Sequence, residues 1–412
     1  MKACAVSWPS RPKSVSNMHK FLLALLGLIT LSCAAQEEPR VVLGDERFEE
    51  YLPLLEGRRV AIFSNQTGLV GGGEQHVLDA LIEKGVNVSA IFSPEHGFRD
   101  LADDGHQIDD SVEPLTGVPI LSLYGGAGGV HPTKEAMDMF DVLIVDIQDV
   151  GLRFYTYYIT MCHLMDACGE AGKKVVLLDR PNPNGHYVDG PVLDMSLKSG
   201  GGHLPIPAVH GLTLGELALM AQGQGWLEAG NRCDLTVIPC LNYSHQTLYE
   251  LPVRPSPNLP NMQSVYLYPS LCPFEGTVVS LGRGTDKPFQ QYGHPAMEGY
   301  YSYSFTPESM KGATHPPLLG QECFGVDLSA LPKEAIFAAG MDLSYVIDAY
   351  TILKTEGREM GFFRRFFDLL MGQRWVRTMI EEGASADAIR ARWMPDVEAF
   401  KELRKPYLLY AE

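Results

Sequence analysis

The stretch Phe140–Gly151, FDVLIVDIQDVG, decides the fold. From Val142 to Ile147 it is apolar except at Asp146, a pattern typical of a strand that is buried on both faces of a parallel sheet. Four further apolar runs occur between residues 41 and 184, and stretches with helical apolar stripes alternate with them. This alternation predicts an α/β fold with a doubly wound parallel sheet.

Polar clusters follow the predicted strands at the points where the strands end. The carboxyl ends of parallel strands meet at one edge of the sheet, and ligands bind at that edge. Ordinary strand-to-helix turns explain the glycines and prolines of these clusters, but not the convergence of carboxylates, an imidazole and an amide. The sequence therefore predicts one binding site there. Its clusters are Asn65–Thr67, Ser93–Gly97, Tyr124, Gln148–Asp149 and Asp179–Asn184.

The character of the chain changes after a loop-rich stretch that ends near residue 295. Two short strands and several amphipathic helices follow, which predict a second, smaller α+β domain. The predicted organisation is a signal peptide over residues 1–35, a catalytic α/β domain over residues 40–289 and an auxiliary α+β domain over residues 290–412. The auxiliary domain contains a phenylalanine stripe that we expect in its core. These residues are Phe362, Phe363, Phe366 and Phe367.

The composition argues against a nucleic-acid-binding protein. The chain has 33 Lys and Arg against 50 Asp and Glu, a formal net charge of −17, whereas clustered cations drive nucleic-acid binding. Its apolar content of 45% and charged content of 20% are typical of a soluble globular protein. An anionic ligand must therefore be bound by local arginines against the field of the whole protein.

The first 35 residues have the features of a secretory signal peptide. They contain basic but no acidic residues, and the apolar run over residues 21–31 is too short for a membrane-spanning helix. Met18 is an alternative start. Cys33 lies in a lipoprotein-like cleavage site, and a lipid on Cys33 would attach the protein to a membrane; plain cleavage after Ala35 is the alternative. We therefore expect export to the periplasm, with or without a lipid anchor.

The sequence lacks the motifs of the common cofactor and metal sites. No G-x-G-x-x-G follows the first predicted strand, and no G-x-x-x-x-G-K-[ST], G-x-S-x-G, H-E-x-x-H or C-x-x-C occurs. We therefore expect no cofactor and no metal, and we expect buried thiols at the six cysteines after residue 33. Carboxylates, amides, arginines and aromatic rings remain at the sheet edge. Such groups are typical of sugar recognition and glycoside hydrolysis.

Glu95 is the leading candidate for a general acid. It follows Pro94 and precedes Gly97, so a stiff turn is expected to hold it. A carboxylic acid held in this way can protonate the leaving oxygen of a glycoside. The alternative is structural, because Glu95 can also cap the next helix or pair with Arg99.

The second catalytic carboxylate is predicted at Glu275 of the PFEGT stretch. Asp149 and Asp146 are the alternatives. Asp146 lies inside a strand, where a structural role is expected, and Asp149 can equally anchor Arg153. Glu275 can also be a loop residue without a role, so the sequence leaves this assignment open.

Further polar and aromatic residues are predicted to bind the substrate. An acidic group on the substrate needs an arginine, for which Arg153, Arg180 and Arg283 are candidates; ion-paired scaffolding is the alternative for each. The predicted substrate-binding residues are Asn65, Gln66, His96, Gln148, Asp149, Arg153, Tyr155, Asn182, His210, Arg283 and Asp286.

Eight short motifs occur in order from about residue 41 to the C-terminus. They are FSNQTG, SPEHGFRD, DIQDVGLRFYTY, LDRPNPNG, PAVHGLTLGELA, PSPNLP, YPSLCPFEGT and GRGTDKPFQQYGHP. Together they resemble the motifs of the NamZ-type exo-β-N-acetylmuramidases, a family long described as a domain of unknown function. Eight motifs in order are far more specific than any one of them.

The resemblance implies a Rossmann-like domain, a smaller auxiliary domain and an active cleft between them. It also implies exo-hydrolysis that releases N-acetylmuramic acid from the non-reducing end of peptidoglycan fragments, which are MurNAc-GlcNAc glycans. The family's catalytic glutamate, in its S-P-E-H-G motif, corresponds to Glu95. In a substrate-assisted mechanism the 2-acetamido group attacks the anomeric carbon, and the second carboxylate orients that amide. Two other functions stay open: a non-catalytic muropeptide-binding lipoprotein and a hydrolase of another amino sugar.

Overall fold

Seven strands form the central sheet in a computed structural model that describes residues 39–95, 97–98, 110–123 and 130–412. Their order is β3-β4-β2-β1-β5-β6-β7, and each neighbouring pair is parallel except β3 with β4. This arrangement confirms the predicted α/β fold class. The strands are β1 (Arg59–Phe63), β2 (Asn87–Ser93), β3 (Ser111–Val112), β4 (Pro119–Ser122), β5 (Val142–Val145), β6 (Lys174–Leu178) and β7 (Asp234–Ile238).

The sheet is doubly wound around β1. The chain proceeds from β1 through β2 to β4 on one side, and from β5 through β6 to β7 on the other. The direction of winding therefore reverses between β1 and β5, which leaves a crevice at the carboxyl ends of these strands. All four residues of β5 are buried, as expected for a strand covered on both faces.

Alternate residues of the central strands supply two hydrophobic clusters on opposite faces of the sheet. Phe63 and Val145 belong to one cluster, and Ile62 and Ile144 belong to the other. Side chains of a strand alternate between faces, so both faces need a covering layer. Helices of the first part of the chain contribute to these layers: α1 (Phe48–Leu55), α2 (Val77–Glu83), α3 (Lys134–Asp138), α4 (Tyr157–Ala171) and α5 (Leu214–Gly223).

The helix ends follow from local sequence signals. Helix α4 ends at Gly172, whose φ of 64° lies in the left-handed region that glycine adopts readily. Helix α5 begins with Thr213 and Glu216, which form the capping box expected from the sequence. Helix α4 places its N-terminus directly after Thr156, at the carboxyl edge of the sheet.

A smaller α+β arrangement follows in the C-terminal part of the chain, as predicted. Strands β8 (Gln291–His294), β9 (Tyr303–Phe305) and β10 (Cys323–Asp327) form an antiparallel sheet in the order β8-β10-β9. The helices are α6 (Met262–Leu271), α7 (Lys333–Ala339), α8 (Ser344–Thr355), α9 (Arg365–Met371), α10 (Arg374–Glu381) and α11 (Ala386–Arg404). The domain boundary at residue 290 stays a prediction.

One hydrophobic cluster connects the parallel sheet with the C-terminal helices. It contains Val145 of β5 and Val346 of α8, together with three of the four phenylalanines of the predicted core stripe. The expectation was wrong for Phe366, which is 39% exposed. Its ring lies on the wall of a cavity because the first turn of α9 faces that cavity.

Several sequence predictions lie outside the described residues. These are the signal peptide over residues 1–35 with Cys33, and the side chains of His96 and Tyr124. Export and lipid attachment therefore stay predictions. In the described ranges no single helix is long and apolar enough to cross a membrane; α7 and α8 reach that length and composition only as a pair bent by 81°. The six cysteines from Cys162 to Cys323 are buried thiols.

Candidate active site

A cavity of about 560 Å³ lies at the carboxyl edge of the parallel sheet. Glu95, after β2, and Thr156, before α4, line it. Glu275, in the short 3-10 helix Cys272–Gly276 after α6, and Arg283, in the loop that follows, also line it. A larger groove of about 1200 Å³ lies beside the starts of β1 and β2, and it contains none of the predicted site residues. The smaller cavity is therefore the candidate active site, because predicted catalytic and substrate-binding residues line it.

A tight turn presents Glu95 to this cavity. The N–H of Gly97 donates to the carbonyl of Pro94 at 3.1 Å, and Gly97 has a φ of 85°, which glycine adopts without strain. The Oγ1 of Thr156 donates a hydrogen bond to Oε2 of Glu95 at 2.9 Å. The turn and this bond hold one carboxyl at the end of β2, where the sequence predicted a general acid.

Glu275 is paired with Arg283 inside the same cavity. The Nε of Arg283 donates to Oε1 of Glu275 at 3.0 Å, and its Nη2 donates to the same oxygen. The side chain of Glu275 is 21% exposed and that of Arg283 is 17% exposed. Burial, and then the charge of Glu95, raises the pKa of Glu275 to about 8, and burial lowers the pKa of Arg283 to about 10. The cost of burying a charge is the main cause of both shifts.

Aromatic rings line the cavity beside the carboxyls. Tyr155 meets Tyr157 edge-to-face at 4.6 Å between ring centroids, and Tyr268 meets Phe289 in the same way at 4.7 Å. The hydroxyls of Tyr155 and Tyr157 donate to the carbonyl of Pro255 at 3.0 and 3.1 Å. These bonds fix the rings, so the cavity has rigid apolar faces of the kind on which sugar rings stack.

The structure brings four predicted site residues to the cavity, namely Glu95, Tyr155, Glu275 and Arg283. Asn65 lies just behind it: its Nδ2 donates to the hydroxyl of Tyr157 at 3.0 Å, and its Oδ1 accepts from Thr67. Asn65 is thus a positioning residue rather than part of the lining.

Two of the arginines proposed to bind an acidic group require correction. Arg153 is fully buried, and its guanidinium donates to the backbone carbonyls of Ile206 at 3.0 Å and Leu370 at 2.7 Å. Arg180 is buried between Asp45 and Asp146, at 2.6 and 2.7 Å. Both arginines are structural residues, because buried carbonyls and carboxylates of the protein already bind their guanidinium groups.

Three amides and a histidine also face the protein rather than the cavity. The side-chain N–H of Gln148 donates to the carbonyl of Pro181 at 2.8 Å, and that of Asn182 donates to the carbonyl of Leu212 at 2.9 Å. Gln66 donates to the carbonyl of Pro255 at 3.3 Å. His210 accepts from the N–H of Leu212 at 3.2 Å, and burial lowers its pKa to about 3. These four residues were predicted to bind the substrate; we correct that prediction, because the contacts above occupy their side chains and none of them lines the cavity.

The two aspartates of the predicted set lie elsewhere. Asp149 is buried, accepts from the N–H of Gly151 at 2.7 Å and does not line the cavity. Asp149 is therefore no longer an alternative to Glu275 as the second catalytic carboxylate. Asp286 is exposed at a turn and does not line the cavity either.

Several cavity residues were missed by sequence reasoning. Ser256 and Asn258 belong to the PSPNLP motif, where polar side chains between prolines were a usable signal. Arg364 and Phe366 gave no such signal, because they occur in an amphipathic stretch that predicts a core helix. Within the described part of the chain, no group of three or more His, Cys, Asp or Glu residues is placed to hold a metal ion.

Two family models together match most of the chain. The model of the N-terminal part of exo-beta-N-acetylmuramidase NamZ matches residues 60–263, and the model of its C-terminal part matches residues 266–410. The chain belongs to the NamZ family. The resemblance inferred from the eight motifs is thereby confirmed.

A NamZ relative of Bacillus subtilis (strain 168), a peptidoglycan beta-N-acetylmuramidase, is 34% identical to this chain over 418 residues. The match covers 94% of this chain and 97% of the relative. Two crystal structures of DUF1343 family proteins from Bacteroides fragilis NCTC 9343 have the same fold. One is 59% identical with a TM-score of 0.83 and covers 91% of this chain and 100% of its own; the other is 27% identical with a TM-score of 0.76 and covers 90% and 99%.

Proposed function

We propose that the protein is an exo-acting β-N-acetylmuramidase that releases N-acetylmuramic acid from the non-reducing end of peptidoglycan fragments. Membership in the NamZ family supports a glycosidase that acts on peptidoglycan. The observation that carries the mechanism is the presence of Glu95 and Glu275 in one aromatic-lined cavity. Its volume of about 560 Å³ is in the usual range for a small-ligand site, roughly 300–1,000 Å³.

In this proposal Glu95 acts as the general acid and base. Its carboxyl donates a proton to the glycosidic oxygen as the bond to the anomeric carbon breaks, and Thr156 orients it through the 2.9 Å hydrogen bond. When water then attacks, the same carboxylate takes a proton from that water. Microscopic reversibility assigns both steps to one group.

Glu275 has the complementary role. Held by Arg283, it accepts the N–H of the 2-acetamido group and orients the acetamido oxygen toward the anomeric carbon. That oxygen supplies the nucleophile, so Glu275 itself forms no bond to the sugar. The aromatic rings beside Tyr155 hold the face of the sugar ring.

A glutamine substitution tests the role of Glu95. With a chromogenic N-acetylmuramic acid glycoside, Glu95→Gln should lower kcat by about 10²- to 10⁴-fold, because general acid catalysis contributes that much. Glu298→Gln is the matched control, since this exposed glutamate does not line the cavity. Release of the chromophore at the wild-type rate by the Glu95 variant would refute the assignment.

The same assay separates the two alternative functions. A non-catalytic muropeptide-binding protein would bind N-acetylmuramic acid but give no release with the wild type. A hydrolase of another amino sugar would release the chromophore from a glycoside without the lactyl group at least as fast as from the muramic acid glycoside.

A further inference from the structure

A muramic acid substrate requires a cation that the mechanism so far does not supply. Its lactyl group carries a carboxylate, and this carboxylate must approach a cavity that already contains Glu95 and Glu275. Among the described residues that line the cavity, Arg283 and Arg364 have guanidinium groups. Arg283 already has a carboxylate partner, because its Nε and Nη2 both donate to Glu275.

Arg364 differs from the other arginines near the site. It is exposed, lines the cavity and forms no ion pair with a carboxylate of the described residues. The arginines proposed from the sequence, Arg153 and Arg180, are buried and bonded to core groups. Phe366, two residues beyond Arg364, also lines the cavity and is 39% exposed.

Backbone contacts place the main chain of Arg364 beside the turn that contains Glu275. Its N–H donates to the carbonyl of Gly276 at 2.8 Å, directly after Glu275 in the chain. A β-bridge joins Thr277 to Phe363, the residue before Arg364. These contacts hold the main chain of Arg364 beside the Glu275 turn, so its side chain starts from a fixed point in the cavity lining.

We propose that Arg364 is the specificity-determining residue of this site, which binds the lactyl carboxylate of the sugar at the cavity mouth; this inference rests on the proposed function. The whole chain has a net charge of −17, so attraction of an anionic substrate has to be local. A guanidinium matches a carboxylate with two parallel N–H donors. The exposed ring of Phe366 supplies an apolar surface for the methyl group of the lactyl ether.

Binding to a catalytically inactive protein tests this role without turnover. In the Glu95→Gln background, Arg364→Gln should weaken binding of free N-acetylmuramic acid by about 10- to 100-fold, since hydrogen bonds between charged groups contribute on that order. Binding of N-acetylglucosamine, which lacks the lactyl group, should not change. Calorimetric titration of both sugars measures the two dissociation constants, and higher salt should reproduce part of the loss for the muramic sugar alone.

Two further variants make the result decisive. Arg364→Lys keeps the charge and should lose less affinity than Arg364→Gln; Arg365→Gln, a neighbouring exposed arginine that does not line the cavity, should bind both sugars like the parent. Equal weakening of both sugars by Arg364→Gln, or no weakening of either, would overturn the role of Arg364. Failure of the wild type to hydrolyse a muramic acid glycoside would instead refute the proposed function, so the two failures are distinguishable.

Discussion

At the scale of the residue, the surroundings of two carboxyls distinguish the predicted second catalytic group, Glu275, from its alternative, Asp149. Glu275 faces the cavity with Arg283 as its partner, whereas Asp149 is buried without a contacting cation among the described residues. One carboxylate oxygen of Asp149 accepts from the N–H of Gly151, and the other makes no hydrogen bond in the described structure. Burial therefore raises the pKa of Asp149 to about 7.

Asp149→Asn should make stability less dependent on pH. The folded-state pKa of Asp149 lies above its unfolded value of 3.8, so its contribution is complete below pH 3.8 and is lost as the pH rises through about 7. Asparagine keeps the acceptor for Gly151 and does not titrate. Denaturant unfolding should therefore show that the free energy of unfolding falls less between pH 5 and pH 8 in the variant than in the wild type. The scale of the difference is about 1.4 kcal/mol per pKa unit.

The control for this experiment is Asp286→Asn, because Asp286 is exposed. Its unfolding free energy should follow the wild-type pH dependence. Since Asp149 does not line the cavity, its variant should also keep most of the hydrolytic activity. A loss as large as that expected for Glu95→Gln would place Asp149 in the chemistry instead.

At the scale of the element, helix α9 and the Glu275 turn form one unit. A Cβ added to Gly276 would lie 2.3 Å from the backbone N and Cα of Phe367, closer than real Cβ atoms approach backbone. Only glycine leaves room for the helix at this point. The close approach allows the N–H of Arg364 to reach the carbonyl of Gly276. The glycine of the PFEGT stretch thus joins the Glu275 turn to helix α9, and residues of both line the cavity.

Gly276→Ala should move helix α9 away from the Glu275 turn. We expect a loss of about 1–3 kcal/mol in the free energy of unfolding, the usual cost of overpacking, together with weaker substrate binding. Gly73→Ala is the comparison, because its added Cβ would meet only the carbonyl oxygen of Val70, at 3.2 Å. Thermal unfolding and KM for the muramic acid glycoside measure the two effects. Wild-type values of both for Gly276→Ala would contradict the close packing.

At the scale of the whole molecule, both halves of the chain build the site on one core. Glu95 and Tyr155 come from the part matched by the N-terminal family model, and Glu275, Arg283 and Arg364 come from the part matched by the C-terminal model. The main hydrophobic cluster extends through both parts. The cavity geometry therefore depends on the packing of the entire unit.

This continuity predicts a single cooperative unfolding transition. Separate transitions require parts that bury their apolar surfaces independently, and here side chains of the sheet and of the C-terminal helices share one cluster. Differential scanning calorimetry of the full chain should show one peak with equal calorimetric and van't Hoff enthalpies. A C-terminal part that melts first while the sheet stays folded would contradict the shared core.

The sequence by itself determined the architecture and one end of the site. Runs such as VLIV of β5 are apolar at successive positions, and this pattern depends only on local composition, so the sheet and its polar edge were predictable. The SPEHG turn was predictable for the same reason, since proline and glycine restrict a few adjacent torsions. These signals led to Glu95 and to the family.

Only the tertiary structure decided which charged side chains meet. The chemical types of Arg153, Arg283 and Arg364 are identical, but the first donates to core carbonyls, the second donates to Glu275, and the third lines the cavity. The partners of each arginine depend on contacts between segments that are far apart in the chain. Burial removes water from a guanidinium only after those segments pack. No local pattern encodes such contacts, which is why the sequence proposed arginines for an acidic group and left out Arg364.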